Sequence, residues 1–161
     1  MLVEQRMNNL LEDYLRGRGV RFFRGHHDDE FFFLLDLPAP GFRTRPAGRL
    51  DIHLGVCGAG RDAVRVHISP DRFYPADQRD RLAAVAARWN AGDPWVRAAV
   101  HESCDPALVG VDAAMTRRPV DSADLADFID HAVDAAVELF GLMCDASRAE
   151  AGTTGGLREA G

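Results

Sequence analysis

The chain has 161 residues, 47% of them hydrophobic and 27% charged, which fits one ordinary globular domain. At this size about two-thirds of the unfolded surface is buried on folding, so neither a disulfide nor a metal staple is required. A formal net charge of -6 argues against a general nucleic-acid binder, and no apolar run is long enough to cross a bilayer.

The first element is an amphipathic helix over 2–16, with Val3, Met7, Leu10, Leu11 and Tyr14 at spacings of three and four. Gly17 and Gly19 end it. Val20–Arg24 and Glu30–Leu37 read as strands around the polar turn Gly25–Asp29. Pro38–Gly48, with three prolines and two glycines, reads as a loop. Leu50, Ile52, Leu54 and Val56 alternate with polar residues, as do Val64, Val66 and Ile68. The intervening Gly58-Ala59-Gly60 makes a hairpin of them. Pro70–Pro75 is a connection, and a second helix spans Asp77–Asn90. A second hairpin, Trp95–Glu102 and Leu108–Arg117, turns at Cys104–Ala107. A long third helix starts at Asp121 or Ser122 and carries Leu125, Phe128, Ile129, Ala132, Val133, Ala136, Val137 and Phe140 on one side. Residues 1–146 therefore form one domain, and 147–161, without periodicity, a disordered tail. The order α-β-β-β-β-α-β-β-α gives an α+β fold with an antiparallel sheet packed against helices.

Around Arg88-Trp89-Asn90, followed by an aromatic-led strand, a second strand and a long closing helix, the chain resembles the YbjN family of bacterial proteins. That family is related in fold to type III secretion chaperones of the CesT kind. The resemblance covers Tyr74 to Met143 well and the first half by order of elements. It implies an α+β chaperone-like fold, a peptide-binding or regulatory role, and no catalytic signature.

Candidate chemistry is sparse. Cys57, Cys104 and Cys144 show no paired metal or redox spacing and read as free buried thiols in a reducing compartment. With no signal-peptide pattern at the start of the chain, the expected location is cytoplasmic. Gly55–Gly60 lacks the glycine order and following helix of a phosphate loop. His101-Glu102 lacks the second histidine of a zinc-protease motif, and no serine has a nucleophile-elbow context. The expectation is a non-enzyme without a cofactor. A hairpin centred near Gly60 sets His53 opposite His67, about 4.5–5.5 Å apart at Cβ, so these two are candidate metal ligands, with His101 a conceivable third. The favoured reading of these residues is as solvated surface histidines, with no metal bound. The acidic ladder Asp121, Asp124, Asp127, Asp130, Asp134 and Glu138 reads as a solvated helix face, or else a dock for a basic partner.

The sheet carries a conflict. Once the strand residues that suit the helix side are assigned, Phe23, Phe32, Leu34 and Trp95 remain on the opposite face with Arg65 and Arg97. A sheet with one solvated side should alternate cleanly. Sheet curvature, a homodimer interface, or a surface for a client peptide would each account for the excess. The resulting expectation is a dimeric, chaperone-like module that holds a client segment through these six residues, or a regulatory adaptor. A small metalloprotein using His53 and His67, or a structural subunit of a larger assembly, stands as the alternative.

Overall fold

The computed structural model describes the backbone of residues 2–27, 29–39 and 42–159, and side chains over 6–27, 29–37 and 48–149. Helix α1 (Leu2–Gly17) buries Met7 and Leu11 of its stripe together with Leu15, which lies one turn beyond Leu11, while the Val3 side chain lies outside the described residues. It ends where Gly19 takes a positive φ of 67°, a conformation glycine adopts without steric cost. Strands β1 (Phe22–Arg24), β2 (Glu30–Ala39), β3 (Phe42–Cys57) and β4 (Ala63–Pro70) form a meander. The two-residue β5 (Tyr74–Pro75) and a single 3-10 turn precede α2 (Arg79–Ala91). Strands β6 (Arg97–Glu102) and β7 (Leu108–Arg117) lead into α3 (Ser122–Glu159).

All pairings are antiparallel, in the order β1-β2-β3-β4-β7, with β5 continuing beside β4 on one flank of β7 and β6 on the other. The fold is the expected α+β arrangement of a sheet with three helices. One face presents Phe31, Phe33, Leu50, Ile52, Leu54, Val64, Val66 and Ile68, all buried. Against it pack Leu125, Phe128, Ile129, Ala132, Ala136, Leu139 and Met143 of α3. Burying each large side chain contributes about 1.5–3 kcal/mol, which outweighs the ~0.2–0.5 kcal/mol per like-charge pair on the outer side of that helix.

Four expectations need correction. Pro38–Gly48 is not a loop: β2 and β3 continue as a two-stranded ribbon, with Pro38 opposite Pro46 and register shifts on either side of Pro38. Proline is tolerated there because β1 and β4 do not reach that far, so among the described residues no strand flanks the ribbon and no N–H need be given to one. The segment from Ser147 is not an unstructured tail, since α3 continues to Glu159. Ser147 is itself buried and donates a 2.6 Å hydrogen bond to Gln78. Val137 is exposed rather than in the core stripe. The three cysteines are free, but Cys104 is exposed and the other two are half-buried, so none is a fully buried thiol.

Part of the acidic ladder is structural. Asp121 caps α3 by accepting from the Asp124 N–H at 2.8 Å, and Asp124 accepts from the Val120 N–H at 2.9 Å. Asp130 accepts from Tyr14 at 2.7 Å and pairs with Arg18, tying α3 to α1. Burial and the Asp130 carboxylate push the Tyr14 phenol well above its usual range, so it remains an O–H donor.

The Arg88-Trp89-Asn90 segment joins α2 to the sheet. Trp89 donates from Nε1 to the Val96 carbonyl at 2.8 Å. Asn90 accepts from the Ala98 N–H at 2.8 Å and donates to the Ala98 carbonyl at 3.0 Å. A primary amide so placed imitates a neighbouring strand and satisfies part of the outer edge of β6, which would otherwise offer open backbone groups.

Candidate functional site

The face of the sheet turned away from α1 and α3 is read from the register. Phe23, Phe32, His53, His67, Ala114 and Arg97 lie in a single row across β1, β2, β3, β4, β7 and β6. Leu34 is opposite Asp51 in the adjacent row, and Arg65 is opposite Gly55, which is opposite Glu30. The hairpin centre near Gly60 therefore places His53 and His67 directly across from one another, as its spacing predicts.

Phe23, Phe32 and Leu34 are 57%, 41% and 50% exposed, an apolar cluster on β1 and β2. Phe32 lies flat on the His53 ring, with centroids 4.4 Å apart and planes inclined by 8°. The arginines do not border this cluster closely. Arg97 stands four strands from Phe32, about 19 Å at ordinary strand spacing, and Arg65 stands two strands away. Beside the aromatic rings are Glu30, His53 and Asp51.

Trp95 is on the other side of the sheet. Strand β6 begins only at Arg97, so strand parity does not extend back to residue 95. The indole is stacked on His131 of α3 at 4.8 Å, with the Arg117 guanidinium 4.2 Å from its ring centroid. It closes one end of the helix layer and does not belong to the open face.

The histidines fall into two groups. His67 Nε2 is 3.0 Å from Asp112 Oδ2, and His101 Nε2 is 3.8 Å from the same oxygen. The His67 hydrogen bond holds the Asp112 carboxyl below its usual range, against the opposing effect of burial. Gly110 lies under the His101 ring, where any added Cβ would collide with it. Asp112 escapes a reading of β7 alone; its open-face parity becomes informative only once β4 and β6 are placed on either side. His53 is the different case: among the described residues its Nε2 has no hydrogen-bond partner, and it lies 4.0 Å from Glu30 Oε1. Burial lowers its pKa, with Glu30 opposing and His67 and Arg65 assisting. Among the described residues no three His, Cys, Asp or Glu side chains converge as a metal-binding group. The paired histidines are instead divided between an aromatic stack and a carboxylate.

A hollow of about 600 Å³ opens beside His53, lined by His26, Asp29, Glu30, Arg61 and Arg65 among others. Asp29 pairs with Arg61 across it, fastening the β1–β2 turn to the β3–β4 turn, while Asp28 lies outside the described residues.

The lowered pKa of His53 has a measurable consequence. Its neutral form is favoured in the fold, so stability is fully present above the unfolded value near 6.5 and falls as pH drops below it. Asp112 acts in the same direction at lower pH: its contribution is present above 3.8 and is lost as pH falls through its depressed folded value. Thermal melts should show declining stability from pH 7 to pH 5, and His53→Gln should flatten that decline. An unchanged slope in the variant would show that His53 does not carry it.

Among the described residues no helix is long and apolar enough to cross a membrane. No family model and no curated protein matches the chain. In structure it is similar to YbjN from E. coli, a protein provisionally described as a transcription regulator, with a TM-score of 0.59, 15% identity, and 90% of this chain and 92% of that chain covered. The fold is YbjN-like.

Proposed function

We propose that the protein is a non-enzymatic binding module whose open sheet face holds an extended segment of a client protein along β1 and β2. The observation that carries this reading is the contiguous exposure of Phe23, Phe32 and Leu34, whose neighbours on the same face of β2 and β3 are Glu30, Asp36, Asp51 and His53. Such patches mark contact surfaces. Two further features favour an extended client. Strand β1 pairs only with Phe31–Phe33, so from Leu34 onward the outer edge of β2 has no strand partner among the described residues. The opposite edge, at β6, is partly satisfied by Asn90. Addition of a strand at β2 would supply main-chain hydrogen bonds, and alternate side chains of the client would meet Phe32 and Leu34.

The contact residues in this reading are Phe23, Phe32 and Leu34, with His53 supporting the Phe32 ring. Arg65 and Arg97 would meet a client only where it crosses the sheet, and Trp95 takes no part. The chaperone-like and regulatory variants share this surface; the YbjN-like fold favours the regulatory one. A homodimer through the same face would compete with the client.

The test is co-purification from the source cells, wild type against Phe32→Glu, with circular dichroism confirming that the variant folds. Proteins retained by wild type and lost by the variant are then offered as synthetic segments in fluorescence anisotropy. The expected result is at least ~10-fold weaker binding by Phe32→Glu. Equal binding by both forms would remove this face from consideration. Light scattering on the purified protein tells a homodimer from a client-free monomer.

A further inference from the structure

A second site lies at the end of the sheet far from the β3–β4 turn. There a cavity of about 390 Å³ opens between α3 and the strand ends around Leu50 and Pro70, a size typical of small-molecule sites. Its deep wall is apolar and belongs to the core: Leu50, Tyr74 and Phe140 are buried there, and the exposed Val137 continues the wall outward.

Two features distinguish it from a packing defect. The first is charge. Arg49 is engaged with Asp36, Asp71 accepts from the Arg49 backbone N–H, and Asp145 also lines the cavity, so three arginines stand there against two aspartates. Arg72 has neutral company: its guanidinium is 5.2 Å from the Tyr74 ring centroid and donates to Cys144 Sγ at 3.3 Å. No carboxylate of the described residues pairs with it, and Arg148 of α3 lines the same cavity. A guanidinium carries five N–H donors in a fork that fits a carboxylate, and a thiol satisfies little of that capacity. The second feature is Gly141, which lines the cavity from the interior of α3. Glycine is a poor helix residue. Packing does not demand it here, because an added Cβ would meet nothing within 4 Å. Its absent side chain keeps the space open.

We infer that this cavity binds a medium-chain aliphatic carboxylate, its chain against Leu50, Val137 and Phe140 and its carboxylate on Arg72. The neighbouring Tyr74 hydroxyl is hydrogen-bonded to Cys144 Sγ at 3.2 Å, so the arginine alone is assigned to the carboxylate. The site is separate from the open sheet face and does not depend on the client-binding reading.

Isothermal titration with octanoate and with 1-octanol tests the inference. Wild type should bind one octanoate, at least ~10-fold more tightly than octanol. Arg72→Gln should remove that preference while leaving octanol within about two-fold. Gly141→Leu, which fills the cavity, should abolish binding of both; Val137→Glu, which puts a carboxylate at its wall, serves the same purpose if the leucine variant does not fold. Failure of wild type to bind octanoate would overturn the inference. So would octanoate binding that survives both cavity variants, or an Arg72→Gln effect equal for acid and alcohol.

Discussion

Phe31→Ala is expected to cost about 3–5 kcal/mol of stability, the range for removing a fully buried aromatic side chain. Phe32→Ala, one residue further along the same strand, should cost no more than about 2 kcal/mol. The physical reason is strand parity. Phe31 is completely buried, meets Phe22 edge-on at 5.9 Å, and has Arg24 over its ring. Phe32 is 41% exposed and rests mainly on the His53 imidazole, an aromatic contact worth about 0.5–1.5 kcal/mol beyond area burial. Chemical denaturation of the two variants measures the difference directly. Similar losses would mean that both faces of β2 are buried, and the open face would cease to be a surface.

The second large effect belongs to Asn90. Asn90→Ala removes a donor and an acceptor together and leaves the Ala98 N–H and carbonyl without the amide they now use. A net hydrogen bond contributes about 1 kcal/mol, and a partly buried backbone group left unsatisfied costs about 1–3 kcal/mol, so the loss should be about 2–4 kcal/mol. Asn90→Asp is the informative companion. It retains the acceptor for the Ala98 N–H but turns a carboxylate toward the Ala98 carbonyl, so it should be at least as destabilising at neutral pH and recover when protonated. A loss below about 0.5 kcal/mol for Asn90→Ala, by urea denaturation, would show that water replaces the amide at this edge.

These two cases show what was legible in the sequence. Parity within a hairpin is local, and so the His53–His67 pairing follows from the glycines at the turn, and Phe31 and Phe32 separate onto opposite faces once β2 is aligned with β3. The stripe of α3 was equally plain, because Leu125, Phe128, Ile129, Ala132 and Ala136 repeat at helical spacing. Contacts between distant segments were not. Arg88-Trp89-Asn90 stood out as a resemblance, but nothing in its spacing tells that the Asn90 amide reaches Ala98. Asp130 looked like one more solvated acid until α1 brought Tyr14 and Arg18 to it.

The misplacements have physical causes too. Trp95 follows Pro94 and precedes the strand by two residues, where the alternation of β6 no longer sets which way a side chain faces. Pro38, Pro40 and Pro46 suggested a loop, yet proline is excluded only from strands flanked on both sides, and the β2–β3 ribbon is not. The glycines and threonines beyond Ser147 weaken a helix without preventing α3 from continuing through them. At the candidate site, the phenylalanines and Leu34 were identified from parity alone. The distance of Arg65 and Arg97 from them required the strand order, which no local pattern supplies.

The central claim is that β1 and β2 present the client-binding surface. Photo-crosslinking in the source cells tests it most directly, with a benzophenone amino acid introduced at Phe32 in one form of the protein and at Asp127, on the acidic side of α3, in another. The expected result is a discrete crosslinked partner from position 32 and none from position 127. A partner captured only from position 127 would move the binding surface to the acidic helix, and capture from neither would contradict the client-holding account.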